Sequence, residues 1–290
     1  MALRSAEAGL PGDSWVVATT TDAVSAGMDT TTPDPGYFGP DSISWRVHHD
    51  PSALVGGLRA LMLQSLQPEV MHGFNVNTDT RDDPWGRLMR TANYVNTVVY
   101  GTHDEADAAA ERVRRVHKVL GLDRPEWLLW VHCGAVESWL YSHRVSGAPM
   151  TNAEADAYVE EQVIAAELVG CEVSDVPRTS AQLLQYFDVM RPQLSATDET
   201  RMAVRGVLWP PMAPRIEWLT PARPLWTIAA TTALGLLPRW SRLMLAPQLV
   251  IPTGLAARTT ARTLRLGMVA LPEQRRTSPH VAAAQARLGH

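Results

Sequence analysis

Residues 103–120 read HDEADAAAERVRRVHKVL, and this stretch decides the fold class. Apolar or semi-apolar side chains recur at Ala106, Ala109, Ala110, Val113, Val116, His117 and Leu120, the three-and-four spacing of one helix face. Acids sit at its start (Asp104, Glu105, Asp107) and bases near its end (Arg114, Arg115, Lys118), as the helix dipole favours. Gly121 supplies the stop. Working outward, the same period returns on both sides. Residues 51–66 carry a stripe of Leu54, Val55, Leu58, Leu61, Met62 and Leu66, ended or redirected by Pro68. Residues 83–100 start with Asp82 or Asp83 as cap and Pro84 in the first turn. Residues 126–143 follow Pro125. Thr151 and Glu154 have the form of a capping box for a helix running to Val169, before Gly170. Residues 180–190 form a shorter helical run. Strand signals are sparse, so the expected class is all-α.

The chain has 290 residues, 46% hydrophobic and 19% charged. That is a globular composition with enough apolar side chains for a sizeable core, which excludes a wholly disordered chain. Residues 1–40 are rich in Thr, Asp, Gly and Pro and read as an irregular arm. Residues 41–270 read as one helical domain and 271–290 as a tail. Two cysteines, Cys133 and Cys171, exclude a disulfide framework, and neither a CxxC nor a CxxCH motif is present. A net charge of -4 gives no case for nucleic acid. The charge is uneven: residues 201–290 hold twelve Arg against Glu217 and Glu273, a net of +10, whereas the first 200 hold 14 bases against 28 acids, a net of -14. This asymmetry reads as a basic tail packed on an acidic body, or as a surface for anions or membrane. The start lacks a signal-peptide apolar core, which points to the cytoplasm. The longest apolar stretch, 225–237, is short of the roughly 20 residues that span a bilayer and reads as a buried helix.

Motifs for phosphate-binding loops, dinucleotide folds, serine hydrolases and zincins are absent. A diiron bundle needs paired ExxH motifs. Glu69-Val-Met-His72 is one, and no second accompanies it. His117 lies on the apolar face of its helix, where a buried imidazole is either a core residue satisfied by a carbonyl or an axial haem ligand. His132, in LLWVHCGAVESWL, is semi-buried by the same pattern. Arg87 and Thr91 are i,i+4 neighbours, as are Arg90 and Tyr94. Two Arg and hydroxyls on one helix suit an anion such as a haem propionate, or a solvated face with salt bridges.

These residues belong to an ordered set: Ser44-Trp-Arg-Val-His-His-Asp-Pro51, Gly56-Gly-Leu-Arg-Ala60, Leu63-Gln-Ser-Leu-Gln-Pro68, Asp83-Pro-Trp-Gly-Arg-Leu-Met-Arg-Thr91, Val98-Val-Tyr-Gly101, Val113-Arg-Arg-Val-His117, Leu128-Leu-Trp-Val-His132, Glu167-Leu-Val-Gly170 and Pro177-x-Thr179. The set resembles the MpaB/rubber-oxygenase (latex-clearing protein) catalytic-domain family over about residues 41–270. The resemblance implies a non-covalent haem b in an all-α fold with a globin-like core. Members include oxygenases that cleave carbon–carbon double bonds of isoprenoid chains. It further implies His117 as axial iron ligand, Arg87 and Thr91 on the haem or its propionates, and His132 as a supporting residue beside the ligand. Arg90 stands where rubber oxygenases carry a distal Lys, and with His72 or Tyr94 it is expected to polarise bound oxygen. The distal Glu of rubber oxygenases has no clear counterpart here. The expectation is a haem b-dependent oxygenase or related oxidative enzyme using O2 or peroxide on an apolar or aromatic small molecule. The rivals are a haem sensor or carrier without turnover, and a haem-free helical protein.

Overall fold

Two helices cross at the centre because glycine lets them. A computed structural model describes residues 33–77, 84–212, 222–245 and 253–289 of the chain. Helix α2 (Ala53–Gln64) packs against α6 (Pro125–Val145) more extensively than any other described pair. Trp139 donates to the Ala53 carbonyl at 3.2 Å and Trp130 to the Gln64 carbonyl at 2.9 Å, so the pair runs antiparallel. A Cβ at Gly56 would stand 2.6 Å from Trp139 Cδ1, and one at Gly134 3.0 Å from Gln64 Cγ. The seam closes on Met62, Leu63 and Leu66, each fully buried, and each such side chain contributes about 1.5–3 kcal/mol on leaving water.

A charge lies inside this seam. Arg59 is 1% exposed and forms a bidentate pair with Glu137, whose second bond measures 3.0 Å. It also donates to Ser138 Oγ at 2.7 Å and to the Leu236 carbonyl at 3.1 Å, and it stacks 4.7 Å over the Tyr141 ring. Four of the five N–H donors of the guanidinium are thereby met, and its face is covered by a ring, which is the kind of environment in which a buried charge is tolerated. The pair also ties the seam to the helix Ala222–Leu236.

The other helices surround this pair. Before it comes α1 (Ile43–His49), capped by Ser42 on Trp45 N at 3.0 Å. The residues between α1 and α2, which include Pro51, separate the two helices, and the apolar stripe expected over 51–66 forms α2 itself, trimmed by two residues at each end. After it come α3 (Pro68–Asn77), α4 (Pro84–Tyr100), α5 (His103–Val119), α7 (Asn152–Val169), α8 (Ser180–Met190) and α9 (Asp198–Leu208). The capping box expected at Thr151 and Glu154 is present, and a second one, Thr102 with Glu105, opens α5. The expected Asp82/Asp83 cap lies outside the described residues. Gly121, at φ +63°, follows α5 and makes its stop, with Leu122 N donating to the His117 carbonyl at 2.8 Å and Gly121 N to that of Lys118. This is the double bond pattern of a left-handed helix end.

Every described element is a helix. By its contacts the chain divides into Met1–Pro33 and Asp34–His290. Within the latter, Phe38, Trp45, Val98, Val99, Tyr100 and Ala110 form a second apolar cluster with Val281 and Ala284 of the helix Pro279–Leu288. The basic C-terminal segment meets the acidic body as the first of the two charge readings expects. Arg265 bonds Asp50 at 2.8 Å with both side chains largely covered, and Arg287 donates to the carbonyls of Asp34 and Tyr100. The stretch 225–237 is only half buried: Leu225 and Ile228 are 55% and 41% exposed. Its spacing defines a face and not what covers that face.

Replacing Glu137 by Ala strands the Arg59 charge in the core, and the expected loss is about 3–5 kcal/mol of unfolding free energy by urea titration. The double variant Arg59→Met/Glu137→Leu should recover most of it. An equal loss in both would mean that the charges are not what the seam needs.

Candidate functional site

The α4–α5 hairpin gathers most of the expected residues. On α4, Arg87, Thr91 and Tyr94 recur at i, i+4 and i+7, so they share one face. Only Gly101 and Thr102 separate α4 from α5, and the two helices pack together, so they run antiparallel. Arg87 lies as far before the turn as Val116 lies after it, about 20 Å at 1.5 Å per residue. Arg87 and His117 therefore occupy the same level, at the end of the hairpin away from its turn.

The chemistry at this level is a set of polar groups short of partners. Arg87 is half-buried, and its pKa is brought down to about 10 by desolvation and then by the charge of Arg90. No acid among the described residues bonds it; the Phe74 ring of α3 lies 4.0 Å from its Cζ. His117 is half-buried, and its Nδ1 is buried with no hydrogen-bond partner. Burial holds its pKa below the usual histidine range, with Asp123 acting weakly the other way. Tyr94 is half-buried, its hydroxyl is buried without a partner, and desolvation raises its pKa to about 12. Thr91 and Arg90 are exposed. Val116, expected on the apolar face of α5, is 48% exposed.

His132 stands on α6, whose main neighbours are α2 and α7, while α5 packs chiefly on α4 and α7. It retains some accessible surface, and burial pushes its pKa down to about 4. Gln64 Nε2 donates to the adjacent Val131 carbonyl at 2.8 Å. His72 stands apart: its side chain is 71% exposed, with Nδ1 3.6 Å from Glu199 on α9. Glu69 turns toward α6, 3.4 Å from Trp127 Nε1. The α3 side chain that meets α4 is Phe74, which spacing alone did not single out. Its signal was slight: an aromatic one turn after Val70, on the face opposite Glu69 and His72.

Among the described residues no three His, Cys, Asp or Glu converge as a metal-ligand group. A shallow cleft of about 260 Å³ lined by Pro125, Glu126, Leu129, Glu172 and Asp175 contains none of the expected residues. No described helix is long and apolar enough to cross a membrane.

Residues 45–270 match the family model described as ER-bound oxygenase mpaB/B'/Rubber oxygenase, catalytic domain. The chain belongs to the MpaB/rubber-oxygenase catalytic-domain family. This is an oxygenase family, and the match spans the central seam, the α4–α5 hairpin and α6 with its His132. No curated protein and no solved structure matches the chain.

The His132 shift has a definite sign. The folded state keeps the ring neutral to about pH 4, whereas the unfolded chain takes up the proton near pH 6.5. Stability from this group is complete above about 6.5 and is lost as the pH falls toward 4. Urea midpoints should fall between pH 7 and 5, and His132→Gln should flatten that slope. An unchanged slope in the variant would contradict the buried neutral ring.

Proposed function

We propose that this chain is a haem b-dependent oxygenase that acts on an apolar or aromatic small molecule, with O2 or peroxide as oxidant. The observation that carries the reading is Arg87, a half-buried guanidinium with no acid partner among the described residues, level with an imidazole whose Nδ1 is buried and unpartnered there. A buried polar group left unpaired costs about 1–3 kcal/mol. Both deficits end if one ligand brings an anion for Arg87 and a metal for His117, and haem, with carboxylates on a macrocycle around iron, does both. Bound haem supplies the site for oxygen activation and one-electron chemistry.

The roles of the side chains follow from their state. Arg87, still protonated at pH 7, pairs with a propionate, and Thr91 one turn on adds a hydroxyl. His117 would hold the iron of a bound haem, and the helix stop at Gly121 fixes its backbone. Tyr94, with a pKa near 12, keeps its proton at any working pH, so it donates a hydrogen bond and does not act as a base. Arg90 likewise contributes charge and donors only. His132 stays neutral at pH 7 and supports the site beside the ligand. His72 faces Glu199 from the exposed side of α3.

Purified protein should take up one hemin and show a haem absorption spectrum. Arg87→Ala should weaken that uptake by about ten- to a hundredfold while helical content stays the same, the loss of one charge-assisted bond pair. A folded chain that binds no added hemin would sink the reading. Reaction of the ferrous protein with O2, and oxidation of an added substrate, separate an oxygenase from a carrier.

A further inference from the structure

Helix α3 sets a ring against Arg87, which has no acid partner among the described residues. Arg87 Cζ lies 4.0 Å from the centroid of Phe74. A guanidinium carries its N–H donors in its plane, so a ring stacked on its face leaves the donor edge open for a carboxylate. The ring is itself held from behind. A Cβ on the neighbouring Gly73 would stand 2.7 Å from Trp127 Cζ3, so α3 lies directly on that indole. Trp127 Nε1 reaches Glu69 at 3.4 Å, and Arg124 stacks 4.8 Å over the same indole. The start of α6 thus anchors α3, and α3 positions Phe74.

We propose that Phe74 is a positioning residue: it fixes the plane of the Arg87 guanidinium so that its N–H edge meets a carboxylate ligand, and α3 is therefore one wall of the anion seat. Taking that carboxylate to be a porphyrin propionate rests on the function proposed above. A purely space-filling Phe74 would serve equally well as Leu, whereas a stacking one needs a π face. Trp, the strongest cation–π partner, would then replace it.

Two measurements on the full chain decide this. The first titrates hemin and hemin dimethyl ester, whose propionates are blocked, into wild type, Phe74→Leu and Phe74→Trp. Phe74→Leu should weaken hemin by about two- to thirtyfold and leave the ester within about twofold, while Phe74→Trp keeps wild-type affinity. Equal weakening of both probes, or none, overturns the positioning role. The second reads the Arg87 side-chain NH resonances by NMR in haem-free protein. Wild type and Phe74→Trp should show ring-current shifts and slow guanidinium rotation, both lost in Phe74→Leu. Matching spectra in wild type and Phe74→Leu refute the proposal even in a chain that binds neither probe, an outcome that by itself removes the haem reading.

Discussion

The packing of α2 against α6 depends on two glycines and one buried charge pair. Gly56 and Gly134 bring the backbones close enough for Trp139 and Gln64 to lie across the seam. Arg59 is buried at that seam, so its charge must be met by protein groups. These are Glu137, Ser138, the Leu236 carbonyl and the Tyr141 ring. The pair therefore fixes three helices in one register. It costs desolvation, and its return is specificity of packing more than stability, since apolar replacements of such pairs are often neutral. α6 carries His132 and the Trp127 that holds α3, so the positions of both follow from this seam.

The α4–α5 hairpin sits on a different cluster, built from Phe38, Trp45, Val98, Val99, Tyr100 and Ala110. Its turn is packed and capped, while its far end carries unpaired polar groups. This division is physically sensible. The buried turn gives rigidity, and the far end presents Arg87, Thr91 and His117 at one level. Sites commonly leave polar groups unsatisfied where a ligand will satisfy them, and the fold bears that cost elsewhere.

Helix type and limits were largely legible in the chain. The run 180–190 and the Thr151 capping box needed only local chemistry, the spacing of apolar residues and the reach of a hydroxyl to a backbone N–H. The family resemblance was legible because its motifs keep their order along the chain. What stayed hidden needed the partner across space. Arg59 and Glu137 are 78 residues apart, and each reads alone as a charge interrupting an apolar run. His72 was a candidate by spacing, yet the twist of α3 turns it toward α9 and brings Phe74 to Arg87 instead. Val116 fell on the apolar face by periodicity, but the period does not say how far a neighbouring helix extends to cover it.

The axial ligand is the point on which the account stands or falls. His117 lies at the level of Arg87 on the same hairpin with an unpartnered buried nitrogen, whereas His132 lies on α6, whose main neighbours are α2 and α7. The most direct measurement is the low-temperature EPR and magnetic circular dichroism spectrum of hemin-loaded His117→Ala and His132→Ala proteins. The account predicts that His117→Ala loses the axial-histidine signature and most of its haem, while His132→Ala keeps the signature. A normal histidine-ligated spectrum in His117→Ala, with its loss in His132→Ala, would contradict it.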